Sequence, residues 1–130
     1  VGGSRTQNLE PRTHKETESF RAYCLSFLGV TEDLKWKHDL VFSMGQKMFA
    51  VLVLEPAEPH SASFKCISEV FAELTEQAGG SPAPYLARYH WVAIEELHPL
   101  PAKQLKSLLA KSYRLVFERL PRKLQDEISG

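Results

Sequence analysis

The chain has 130 residues, 43% of them hydrophobic and 25% charged, with 16 basic and 16 acidic side chains that leave no formal net charge. These values fit one domain with one core and exclude fibrous and disordered classes. They also argue against a protein held to nucleic acid by global charge alone. No apolar run approaches the roughly 18 residues of a membrane helix. Residues Val1 to Arg12 lack the apolar region of a secretory signal, so a soluble cytoplasmic protein is expected.

Val1 to Thr13 is polar, carries two glycines and a proline, and reads as a disordered or loosely held leader. His14 to Leu28 reads as a helix: Thr13 can cap it, Glu16 follows at capping-box spacing, and Phe20, Cys24, Phe27 and Leu28 form an apolar stripe. Gly29 stops it. Thr31 to Lys37 reads as a strand with Leu34 and Trp36 on one side and Lys35 and Lys37 on the other.

Leu40 to Leu54 is the centre of the chain. Two runs rich in β-branched and aromatic residues flank Gly45-Gln46, a Gly-X pair that suits a type II′ hairpin turn. The second run is apolar from Met48 onward, which places that strand near the middle of a sheet. Glu55 to Ser61, with two prolines, is a loop, and Ala62 to Cys66 a short strand with Phe64 and Cys66 opposed to Ser63 and Lys65.

Ser68 to Ala78 reads as a second helix, capped by Ser68, burying Val70, Phe71 and Leu74, and ended by Gly79-Gly80. Ser81 to Leu86 is an extended connector, and Arg88 to Glu95 the last strand, with Trp91 and Ala93 opposed to Arg88, His90, Val92 and Ile94. Leu97 to Pro101 turns the chain. Ala102 to Leu120 is the longest helix, with Leu105, Leu108, Leu109, Ser112, Leu115, Val116 and Leu120 on one face and Lys103, Lys106, Lys111 and Arg114 opposite. Pro121 ends it, and residues 124–130 are a polar tail. The domain thus spans 14–123, an α+β fold with a mostly antiparallel twisted sheet of about five strands and helices on one face.

Four segments occur in register: Gly45-Gln46-Lys47-Met48-Phe49-Ala50; Ser63-Phe64-Lys65-Cys66; Ala83-Pro84-Tyr85-Leu86 leading to His90-Trp91-Val92; and Lys111-Ser112-Tyr113-Arg114-Leu115-Val116 followed by Leu120-Pro121-Arg122-Lys123. Together they resemble the MmcQ/YjbR family of small bacterial proteins, over roughly Glu16 to Lys123. The resemblance implies a fold like that of bacterial frataxin (CyaY), an antiparallel sheet with helices on one side. The family is usually described as predicted DNA-binding proteins with a "double wing" arrangement, so the resemblance implies DNA as a partner. A frataxin-like fold also invites the thought of iron at an acidic first helix. Here that helix sets Glu16 and Glu18 beside Lys15 and Arg21, with no acidic ridge.

Charge is unevenly spread. Pro101 to Lys123 carries seven basic side chains against Glu118, whereas Glu55 to Glu76 carries five acids against Lys65. If Leu34 and Trp36 face the helices, then Lys35, Lys37 and Lys65 share the open sheet face. Lys47 and, in one register, Arg88 and His90 join them there, with Trp91 or Tyr89 nearby to stack on a base. The expected function is therefore nucleic-acid binding through Lys35, Lys37, Lys47, Lys65, Arg88, His90 and Trp91, or through the basic face of the last helix. The alternative is a small-molecule or protein-interaction module at Tyr85, His90 and Trp91, with Ser112 and Tyr113 bonded to backbone. Neither reading is enzymatic. The His90 and Ser112 pair lacks an orienting acid, the five histidines lack ligand spacing, and no cofactor or metal is expected. Cys24 and Cys66, set among apolar neighbours, read as buried thiols.

Overall fold

In the computed structural model the hairpin at Leu40 to Leu54 lies inside a six-stranded sheet. The described residues are 14–36, 38–54, 61–77, 79–84, 86–95 and 102–130. The leader at 1–13 with the Thr13 cap, Lys37, the loop at 55–60, Ala78, Tyr85 and the turn at 97–101 lie outside them. In chain order the elements are α1 (His14–Leu25), β1 (Thr31–Lys35), β2 (Asp39–Met44), β3 (Lys47–Val53), β4 (Ala62–Lys65), α2 (Ser68–Thr75), β5 (Gly80–Pro82), a 3₁₀ turn (Ala87–Tyr89), β6 (Trp91–Ile94), α3 (Ala102–Phe117) and α4 (Arg122–Ser129). The sheet order is β1-β2-β3-β4-β6-β5, and every neighbouring pair is antiparallel. The α+β architecture and the inner position of β3 agree with the sequence.

The hairpin turn is type I′ rather than II′, because Gly45 and Gln46 both take positive φ, 57° and 68°. Gly45 is required twice over: a Cβ there would also meet Leu120 at 3.0 Å. Beyond the turn, Ser43 pairs with Met48 but Phe42 with Ala50, so Phe49 is an extra, bulged residue. The bulge lets Phe49 and Ala50 enter the same core although they are adjacent.

That core lies on the helix side. Phe42, Met44, Leu52, Phe64, Val92 and Ile94 from the strands meet Phe20, Cys24, Leu74, Leu105, Leu108, Leu109 and Val116 from α1, α2 and α3. Ser112 of α3 is buried among them, and its hydroxyl is a bridge. It donates to the Phe49 carbonyl at 2.6 Å and accepts from the Lys65 amide at 2.9 Å. The β3–β4 pairing ends at Ala50 and Phe64, so this serine takes over two backbone groups that the bulge leaves out of the ladder. The Tyr113 hydroxyl donates to the Leu28 carbonyl and ties α3 to the turn after α1.

Several boundaries differ from the sequence reading: the first helix ends at Leu25 rather than Leu28, and the longest at Phe117 rather than Leu120. The stretch expected as a polar tail forms α4, whose Leu124 and Ile128 pack one turn apart against the core. Gly80 to Pro82, expected as the end of a helix stop and the start of a connector, pairs with β6 as an edge strand and brings the count to six. The last strand starts at Trp91, not Arg88, because Ala87 to Tyr89 winds into a 3₁₀ turn and His90 is left-handed (φ 65°, ψ 38°). α2 is preceded by Ile67, and the Ser68 hydroxyl bonds to Glu69 instead of capping the helix.

Candidate functional site

Among the described residues the expected basic sheet face is divided: Lys35 stands apart, while Lys47, Lys65 and Trp91 meet at the opposite rim. Lys35 closes β1, Lys47 opens β3 and Lys65 closes β4, so each sits at a strand end and on the rim. The ladder Lys35–Asp39–Val53 marks one end of the sheet, and the pairs Met44–Lys47 and Lys65–Trp91 mark the other. Lys35 is thus separated from the other two, and it lies 3.9 Å from Asp33 on its own strand and opposite Asp39. His90 turns toward α2, its ring 5.4 Å from that of Phe71. Lys37 and Tyr85 lie outside the described residues.

What the structure brings together is a pocket of about 480 Å³ at the Lys47 end, lined by Lys47, Lys65, Arg119, Tyr89, Trp91 and neighbouring apolar side chains. No carboxylate is among the described residues that line it, and none of the described ion pairs involves these three cations. The type I′ turn presents Lys47, and Arg119 arrives from the turn that follows α3.

Tyr89 organises the remaining wall. Lys65 Nζ donates to the Tyr89 carbonyl at 2.7 Å and lies 5.9 Å from the ring centroid. The Arg88 guanidinium stands 5.0 Å from the same ring and donates to its hydroxyl at 2.9 Å. Burial, with repulsion from Arg119 second, holds the Lys65 ammonium below the ordinary lysine range. An anion entering the pocket relieves that repulsion. Lys65 also lines a second, smaller pocket of about 240 Å³ between α2 and α3, with Lys111, Arg114 and Glu118 at its rim. The two pockets share Lys65, and the second is otherwise mainly apolar, lined by Cys66, Ile67, Val70, Leu108 and Leu115 beside its three other charged groups. Arg119 is the member that sequence reasoning missed. Its place in the basic C-terminal run was visible, but its meeting with Lys47 and Lys65 is tertiary.

The open sheet face is apolar. Val41, Val51, Ala83, Trp91 and Ala93 are buried there in a cluster to which no described helix contributes, and Met48 and Leu86 pack alongside. A groove of about 590 Å³ crosses this face from Trp36, His38 and Asp39 to Met48 and Leu86. Trp36 belongs to it, not to the helix side, because its φ of 52° ends the alternation after Lys35.

The thiols offer no nucleophile. Burial pushes Cys66 up to about 12 and Cys24 upward as well, and both are free. Among the described residues no three His, Cys, Asp or Glu side chains converge as a metal site, and no helix is long and apolar enough to cross a membrane.

A family model described as YjbR matches residues 25–115. A crystal structure of a Deinococcus radiodurans protein with the domain DUF419 is 25% identical, with a TM-score of 0.76 over 86% of either chain. A crystal structure of a Pseudomonas syringae protein is also 25% identical, with a TM-score of 0.63 over 75% of this chain and 96% of the other. No curated protein matches the chain.

Proposed function

The chain belongs to the YjbR family, and from that premise we propose that it is a non-catalytic nucleic-acid-binding module whose contact is the basic pocket at Lys65. The observation that carries the proposal is the pocket in which Lys47, Lys65 and Arg119 converge with no described carboxylate in its wall. Desolvating like charges beside one another costs stability, and a bound phosphate offsets that cost. Phosphates of a single strand occupy this pocket and continue past Lys65 toward Lys111 and Arg114. A base stacks on the half-exposed Tyr89 ring. The cations sit in a recess and not on a broad flat surface, which favours a single strand over a duplex.

Anisotropy titrations with single-stranded and duplex DNA at several salt concentrations test this. Three neutralised phosphates give a log–log salt slope of about −2 for a single strand. The Lys65→Ala, Arg119→Ala double variant weakens binding and flattens that slope. Absence of binding near roughly 50 mM salt, where several phosphate contacts are strong, overturns the proposal. A second reading, a small phosphate-bearing ligand, is favoured by the pocket volume, which falls in the range of small-molecule sites. Under that reading a mononucleotide binds as tightly as the strand.

A further inference from the structure

We propose that the free edge of the sheet pairs with a second copy of this chain, strand β1 against strand β1, antiparallel and centred on Leu34. The two sheet edges are unlike. β5 is three residues long and ends in Pro82, which has no N–H to offer a neighbouring strand. β1 has five residues, no proline and an unbroken register with β2, and among the described residues it has no partner on its outer side.

The side chains of β1 are suited to themselves. Leu34 is 56% exposed and lies between Asp33 and Lys35. A two-fold axis normal to the sheet keeps each side chain on its own face, so only registers that oppose residues of like parity are allowed. Centring on Asp33 opposes two aspartates, centring on Lys35 two lysines, and centring on Glu32 two glutamates, while centring on Thr31 sets most of the strand against residues that precede it. Centring on Leu34 opposes the two leucines and sets Asp33 of each copy against Lys35 of the other.

Within one copy these charges are loosely used. The Asp33–Lys35 contact is 3.9 Å long, and its side chains are 71% and 49% exposed. Glu32, by contrast, is engaged by Arg21 of α1, which fixes the strand from behind. Trp36 leaves the strand at its left-handed φ, so the new ladder is short and the dimer is weak and reversible.

Sedimentation over a wide concentration series, in dilute salt, tests the pairing. The wild-type mass rises from 14.7 kDa toward twice that value. Asp33→Lys and Lys35→Asp each stay monomeric when alone, since each opposes like charges. An equimolar mixture of the two variants restores the dimer, because the charges then cross correctly. Circular dichroism confirms that both exposed variants fold. A wild type that stays monomeric throughout overturns the proposal, as do single variants that associate like the wild type. A mixture that fails to associate also overturns it.

Discussion

The two faces of the sheet share every strand and yet are buried in different ways. On the helix face, Phe42, Phe49 and Phe64 are sealed by α1 and α3 together with the turns around them. On the open face, Val41, Val51, Trp91 and Ala93 pack into a separate, smaller cluster, and a groove remains. Helices seal one side completely, whereas side chains lying within a face cover it only in part. The cations belong to neither face. They sit where the strands stop, and that is why a rim pocket exists at all.

The largest effect expected from this contrast is at Phe64. Phe64→Ala empties a fully enclosed site and costs about 3–5 kcal/mol, read from urea midpoints at constant slope. Next is Ser112→Ala, which leaves the Phe49 carbonyl and the Lys65 amide buried without a partner, at about 1–3 kcal/mol. Amide exchange at Lys65 accelerates in that variant more than exchange within the β1–β2 pair. Val51→Ala on the open face costs less than Phe64→Ala, about 1–2 kcal/mol, because fewer methyl groups are lost and the groove beside them is open to water. A Val51→Ala loss as large as that of Phe64→Ala breaks the comparison, since it means that the open face is sealed as tightly as the other.

How much of this was legible follows the same line. Period-two alternation placed Phe64 correctly and grouped Val92 with Ile94 without fixing their face, and the helix period placed Leu105, Leu108, Leu109, Ser112 and Val116. It also grouped Trp91 with Ala93, but the register that put Arg88 and His90 on the open face would have turned that pair toward the helices, whereas the structure places it on the open face. The reading failed where the backbone leaves the regular period. Trp36, Gln46 and His90 all take left-handed φ although none is glycine, and no local residue preference announces that. Those reversals moved Trp36 to the other face, changed the turn type and carried His90 away from Trp91. The lysines were assigned their sides of the strands, but alternation says nothing about whether a strand continues past its lysine. α4 was readable, since Leu124 and Ile128 stand four apart just after Pro121. The polar residues between them hid it.

The smallest effect separates the two sides of β1 itself. Glu32 faces the helices and accepts two hydrogen bonds from the Arg21 guanidinium, at 2.7 and 2.5 Å, which holds its carboxyl below the usual glutamate range. In the unfolded chain the carboxyl protonates near its ordinary value, about 4.3. The folded chain keeps it charged to lower pH, so the pair stabilises fully above that ordinary value. Its contribution is lost as pH falls through the depressed folded value. Urea midpoints measured from neutral pH into the acid range therefore fall more steeply for the wild type than for Glu32→Gln, and the two curves converge at the acid end. Added salt narrows the gap at neutral pH, because both side chains are partly exposed to solvent. A constant offset between the curves at every pH means that the contact acts through packing alone, and the helix side of β1 is then held no more firmly by charge than its open side.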